Sequence, residues 1–378
     1  MKLLIISHTY IVDTNREKIE ELVKVPDLQV GLVVPARWVD TLRTIELNHS
    51  NTSVYRNFTI PIFFNGSIAK FFFNPVLLFK AFWGFKPDIV QVEEEPWSWS
   101  LLECLIFSKM IGAKTLFFTW QNIYSQYSHF SNLVEKINFK LADAAVAGSN
   151  EAYEILKKRG FKKNVEVIPQ LGVNPQNFCP LSQPRHGQEI TIGYIGRFVE
   201  EKGILDLLEA FKGLGNTARL RLVGRGPLEN QITEFIENNN LDEQVEIITA
   251  VPHNQVPQFM ASLDIFVLPS KTTTFWKEQF GHVLIEAMAC RAAVLGSSSG
   301  AIPEVMGDGG LIFEEGNIED LKSRLQTLID SSKLREEIAQ KGYQRVLQNF
   351  TNKKIAQKTL EFLLKVTPSF RRLSAALH

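Results

Sequence analysis

Short apolar runs alternate with helical stretches along this chain, and that alternation restricts it to few architectures. In the first half the runs fall at residues 3–7, 30–34, 88–92, 114–118, 144–147 and 165–168. Runs of four or five apolar residues suit buried strands, and strands separated by helices predict a doubly wound parallel sheet. A second series opens at Ile190 with I-T-I-G-Y-I-G. Between the two, residues 174–188 contain three prolines and little periodicity, as a linker does.

The expected organisation is therefore two Rossmann-like α/β domains, 1–175 and 189–352, with a closing helical segment, about 353–378, crossing back to pack on the first. A length of 378 residues with 45% hydrophobic and 22% charged residues can fill two cores. The 41 basic residues balance the 41 acidic ones, so nothing global points to nucleic acid. Cys104, Cys179 and Cys290 are far apart and odd in number, which suggests neither a disulfide framework nor a zinc site. The apolar start M-K-L-L-I-I-S is too short for a signal peptide and reads as a first strand, and no run is long enough to span a bilayer. A reducing cytoplasm is the expected compartment.

Residues 264–304 hold the densest chemical signal. They read as strand, loop, helix, strand and loop, one βαβ unit whose loops lie at strand C-termini, where open parallel sheets bind ligands. Glu278 stands just before the helix and Glu286 inside it. Gly281 between them permits close backbone approach, and the first amides of such a helix suit a phosphate. Glu286 could accept two ribose hydroxyls and Glu278 those of a sugar. The same residues also suit a solvated loop and an ordinary helix surface, and spacing alone does not choose.

The stretch E-Q-F-G-H-V-L-I-E-A-M-A, residues 278–289, resembles the donor site of the family 4 (group 1) glycosyltransferases of GT-B fold. The resemblance implies two Rossmann-like domains facing a cleft and retaining transfer from a nucleotide-diphosphate sugar. It gives Glu278 the transferred sugar and Glu286 the ribose, and it brings Phe280, Gly281 and His282 into the donor site. It also covers G-R-F-V-E-E-K-G, where Gly196 ends a strand and Arg197 and Lys202 are the cations that grip the diphosphate. Gly224 falls in the family's G-x-G-P-L turn, and Val251 where the base lies. Base identity, UDP- or GDP-linked, is not legible. The chain has no D-x-D, so the usual carboxylate pair for a divalent metal is missing. Two fixed cations and helix-start amides could neutralise a departing diphosphate instead. No metal and no cofactor beyond the donor substrate are expected.

Acceptor recognition is expected of the first domain. His8, Asn15 and Arg16 lie in the loop after the first strand, which lacks the Gly-Gly turn of many family members. Glu95 ends the run Glu93-Glu94-Glu95-Pro96, and Gln121 and Asn122 stand where many members have a histidine. The acceptor itself, glycan, lipid-linked or small, is not specified. No acidic residue occurs between Glu46 and Asp88, while Arg56, Lys70, Lys80 and Lys86 stand among many aromatics. Residues 62–86 therefore suit either peripheral contact with the inner face of a membrane or a core helix with outward lysines. The altered first loop and the missing histidine also fit a non-catalytic donor-binding subunit of a polysaccharide assembly complex.

Overall fold

The computed structural model describes residues 1–39, 44–46, 54–181, 189–215 and 217–370. Residues 182–188 of the expected linker and the end of the closing segment, 371–378, lie outside them. The chain divides into two compact units, Met1–Leu171 with Asn352–His378, and Gly172–Thr351. The division falls a few residues before the expected boundary at 175. Val173 donates its N–H to the Phe350 carbonyl and bridges Thr351, which ties the start of the linker to the second unit.

The first unit is built on a seven-stranded sheet. Its order is Asn164–Val167, Ala144–Ala147, Lys114–Thr119, Ile89–Val92, Lys2–Ile6, Gln29–Pro35 and Arg56–Ile60. All neighbours run parallel. Alternate side chains of a strand point to opposite faces, and both faces here are covered, so the central strands read as largely apolar runs. In the first strand Leu3 and Ile5 join a core with Ile19, Leu22, Ile355 and Leu363. Leu4 and Ile6 join another with Leu78, Phe82, Leu101 and Leu105. The closing helix, Asn352–Val366, packs in this unit against the helix Glu17–Val23, and Asn352 Nδ2 donates to Glu17 Oε2 at 2.6 Å.

The second unit carries a six-stranded parallel sheet. Its order is Val245–Ile248, Ala218–Val223, Ile190–Ile195, Ile265–Leu268, Ala293–Ser297 and Gly310–Phe313. From Ile190–Ile195 the chain builds outward on one side, then returns to build outward on the other from Ile265–Leu268. Strand order reverses between those two strands, and the loops leaving their C-termini diverge to leave a crevice. The first unit has the same reversal between Lys2–Ile6 and Ile89–Val92. Every loop singled out above, apart from those of Gln121, Asn122, Gly224 and Val251, leaves a strand beside one of these reversals. Among the described residues no helix is long and apolar enough to cross a membrane.

Candidate functional site

In the second unit the loop after Ile195 carries Gly196, Arg197 and Lys202, and the loop after Leu268 carries Ser270, Trp276 and Glu278. The two loops meet. Lys202 Nζ lies 2.6 Å from Glu278 Oε2, both side chains being largely buried, and the ammonium is 4.6 Å from the centre of the Trp276 ring. Ser270 Oγ donates to the same carboxylate oxygen at 2.9 Å. The Glu278 carbonyl accepts the Ala301 N–H at 3.0 Å, so the loop after Ser297 fixes its backbone as well. A pair drawn from water this far needs such extra partners to hold its geometry. Arg197 is half-exposed, 3.7 Å from Glu201, and its carbonyl accepts the Tyr194 hydroxyl at 2.9 Å. Gly224 packs against this loop so closely that a Cβ there would lie 1.9 Å from the Gly196 carbonyl oxygen.

Gly281, at φ 74°, is the N-cap of the helix His282–Ala289, whose first turn has no side-chain cap. The left-handed conformation there is open to glycine at little cost. Phe280 is buried edge-on against Phe350, their ring centres 5.7 Å apart. Glu286, one turn into the helix, has a largely buried side chain, and burial pushes its carboxyl up to about 8. His282 Nε2 is 3.8 Å from it. Val251 is half-buried beyond Val245–Ile248, an outer strand two places from the reversal.

In the first unit the three adjacent glutamates are held in three directions rather than forming a solvated face. Glu93 is buried and accepts from Lys18 Nζ at 2.6 Å, Tyr10 Oη at 2.6 Å, Gln91 Nε2 at 2.7 Å and Gln170 Nε2 at 3.0 Å. Glu94 accepts the His8 backbone N–H at 2.8 Å, and both its oxygens lie 2.8 Å from His8 Nδ1. The imidazole is packed against Trp38, ring centres 4.4 Å apart. Glu95 accepts from Thr119 Oγ1 at 2.6 Å and from the Trp120 N–H at 2.9 Å. Burial nevertheless outweighs those bonds and pushes its carboxyl up to about 7.

The other first-unit candidates serve the loops themselves. Arg16 turns inward: it is 2% exposed, with Nε donating to the Tyr10 carbonyl at 2.6 Å and Nη1 2.8 Å from Asp13. The turns at Thr9–Ile11 and Asp13–Arg16 present a carbonyl and a carboxylate that the guanidinium closes upon. Asn15 Nδ2 donates to the Thr9 carbonyl, Gln121 Nε2 to the Ile123 carbonyl and Asn122 Nδ2 to Glu151. Ser270, Trp276 and Glu94 were not singled out as site residues. Ser270 left a signal as the polar residue ending a strand, and Glu94 as a member of the acidic run.

Residues 181–345 match the family model described as glycosyl transferases group 1. Over that stretch the chain is similar to the group 1 glycosyl transferases. An uncharacterized glycosyltransferase of Methanocaldococcus jannaschii is 32% identical over 151 residues, 39% of this chain and 41% of that protein. The capsular polysaccharide biosynthesis glycosyltransferase CapM of Staphylococcus aureus is 32% identical over 172 residues, 43% of this chain and 42% of that protein. The matched stretch thus spans about two fifths of the length of these two curated relatives. In fold the likeness extends further. The solved structure of Anabaena HepE in complex with UDP superposes with a TM-score of 0.75 at 18% identity, covering 97% of this chain and 100% of that one. The two parallel-sheet Rossmann-like units are those of the GT-B fold.

Proposed function

We propose that this protein is a glycosyltransferase that moves a sugar from a nucleotide-diphosphate donor to a hydroxyl acceptor with retention of configuration and without a metal ion. The observation that carries the reading is the meeting of Lys202 with Glu278 where strand order reverses in the stretch similar to the group 1 family. A donor seated there would lay its diphosphate beside Arg197, Lys202 and the start of the helix His282–Ala289. Its ribose would reach Glu286 and its sugar hydroxyls Glu278, with the base near Val251. The names of relatives, among them glycosyltransferases of capsular and colanic acid biosynthesis, support the reaction class, and a UDP-bound fold neighbour supports a uridine donor.

In the proposed step the acceptor oxygen forms a bond to the anomeric carbon as the bond to the diphosphate oxygen breaks. The acceptor's proton passes to that departing oxygen. The charge growing on the diphosphate is met by Lys202, held in place before the reaction by Glu278, and by Arg197, which turns toward it. Glu278, which Ser270 and Lys202 orient, holds the sugar.

Incubation of the purified chain with a panel of UDP- and GDP-sugars tests this. Slow release of free nucleotide, abolished by Lys202→Ala, is the expected result. Tight nucleotide binding with no turnover, alone or with acceptors, would instead make the chain a donor-binding subunit.

A further inference from the structure

Three consecutive helices of the first unit, Pro75–Phe85, Trp99–Ile111 and His129–Leu141, lie side by side over one face of its sheet. Their inner residues, among them Leu78, Phe82, Leu101, Leu105 and Val134, are buried. Their outer residues are also apolar. Val76 and Trp83 of the first helix are each 61% exposed, Met110 of the second 64%, and Phe130 and Leu133 of the third 52% and 54%. Ring contacts run across the layer: Phe79 meets Phe107 at 5.7 Å, and Trp99 stacks on Phe130 at 5.1 Å. Helices packed on one side only should carry polar residues on the other, and an apolar surface continuous over three of them marks a docking face.

The charge on this face has one sign. Lys80, Lys86, Lys136 and Lys140 are exposed on or beside the three helices, while Lys109 is tied to Asp143 at 2.9 Å. The two carboxylates the helices carry are both withdrawn. Glu135 is buried and grips Arg159 through two 2.6 Å bonds. Glu103 accepts the Phe73 N–H at 2.6 Å, and burial pushes its carboxyl up to about 8, so it carries little charge near neutrality. The next helix, Asn150–Lys158, exposes Glu154 and ends the face.

We propose that this three-helix face docks on a bilayer surface bearing anionic phospholipid headgroups. Large apolar side chains with two tryptophans would enter the interfacial layer, and the lysines would meet the headgroup charge. Only part of the stretch 62–86 belongs to it. Phe71, Phe73, Phe82 and Phe85 are core residues, whereas the helices beyond residue 98 supply much of the face. Pro75 does not break a helix here; it opens one, with Asn74 as N-cap.

Flotation of the full chain with vesicles of phosphatidylcholine alone, or with added phosphatidylglycerol, tests the proposal. Two triple variants accompany it: Trp83→Ser with Phe130→Ser and Leu133→Ser, and Lys80→Ala with Lys136→Ala and Lys140→Ala. Capture by the anionic vesicles alone, falling with salt and at least about tenfold weaker in each variant, is expected. UDP affinity without lipid should be unchanged in both; it reports folding, and it reads the transferase proposal separately. No capture by anionic vesicles, equal capture by neutral ones, or capture indifferent to both variants would overturn the proposal. So would a lipid-free dimer that both variants dissociate, which would make a second copy of the chain the occupant.

Discussion

Lys202 Nζ and Glu278 Oε2 are 2.6 Å apart, although 76 residues separate them in the chain. The cation proposed for the diphosphate and the carboxylate proposed for the sugar are therefore one electrostatic unit. Removing either takes from the other its opposite charge in a largely buried place, a penalty of about 3–5 kcal/mol where burial is complete and less here. Lys202→Ala and Glu278→Gln should each lower kcat/KM, and the double variant should lose less than the sum, with a coupling of about 1–3 kcal/mol. Steady-state kinetics of the three variants, with melting temperatures to separate folding from catalysis, measure it. Strict additivity would mean the two residues act apart.

Glu286 makes donor binding depend on pH. Burial pushes its carboxyl up from 4.5 to about 8, so near neutrality it holds a proton. Two ribose hydroxyls donating to it would favour the charged form and expel that proton. Nucleoside-diphosphate affinity should accordingly rise as pH rises from 6 through 8, with proton release visible as a buffer-dependent heat in titration calorimetry. Glu286→Gln should flatten this dependence and weaken binding by about 1.5–3 kcal/mol. Stability runs the opposite way. The native state keeps a proton the unfolded chain loses above 4.5, so the Glu286 contribution is full below that pH and disappears as pH rises through about 8. The glutamine variant should melt higher than the parent at pH 8.5.

Both sheets were legible in the sequence because parallel strands buried on two faces must be largely apolar, and the runs at residues 3–6 and 265–268 are wholly so. Loop positions at strand ends followed from the same pattern. Partner choice did not, because a period of 2 or 3.6 reports which way a side chain faces and not what it meets. Nothing near Glu278 announces Lys202, and Trp276 reads as one more loop aromatic. The run Glu93-Glu94-Glu95 resembles a solvated stretch until Lys18, His8 and Thr119 arrive from three other segments. The inward turn of Arg16 is illegible for a related reason: a charged loop residue is usually exposed, and here Asp13 and the Tyr10 carbonyl draw it in.

His8, oriented by Glu94, is proposed to hold the acceptor hydroxyl. The carboxylate fixes Nδ1 and the backbone N–H at once, so the ring is positioned before any acceptor binds. His8→Ala should raise the acceptor KM by the equivalent of about 1–3 kcal/mol while leaving donor hydrolysis in the absence of acceptor unchanged. Glu94→Gln should move the same parameter in the same direction, by less. A fall in donor hydrolysis would place His8 in the donor site or in the folding of the unit.

The proposed chemistry is most exposed in its stereochemistry and its independence of metal. Arg197 is half-exposed and loosely paired with Glu201, so it is free to turn toward a diphosphate, where its charge acts most as the leaving group departs. Arg197→Ala should therefore depress kcat by about 2–4 kcal/mol with little change in donor KM, and activity should survive chelator. An α-linked donor should give an α product. Inversion requires a base on the side of the anomeric carbon away from the diphosphate, to deprotonate the acceptor as the leaving group departs. Glu278 is occupied by Lys202 and Ser270 and is assigned to the sugar hydroxyls, which leaves the departing phosphate oxygen as the proton acceptor on the front face. Anomeric couplings in the proton spectrum of the product decide it. A β product from an α donor would end the retaining mechanism; turnover that needs added magnesium or manganese would end the metal-free one.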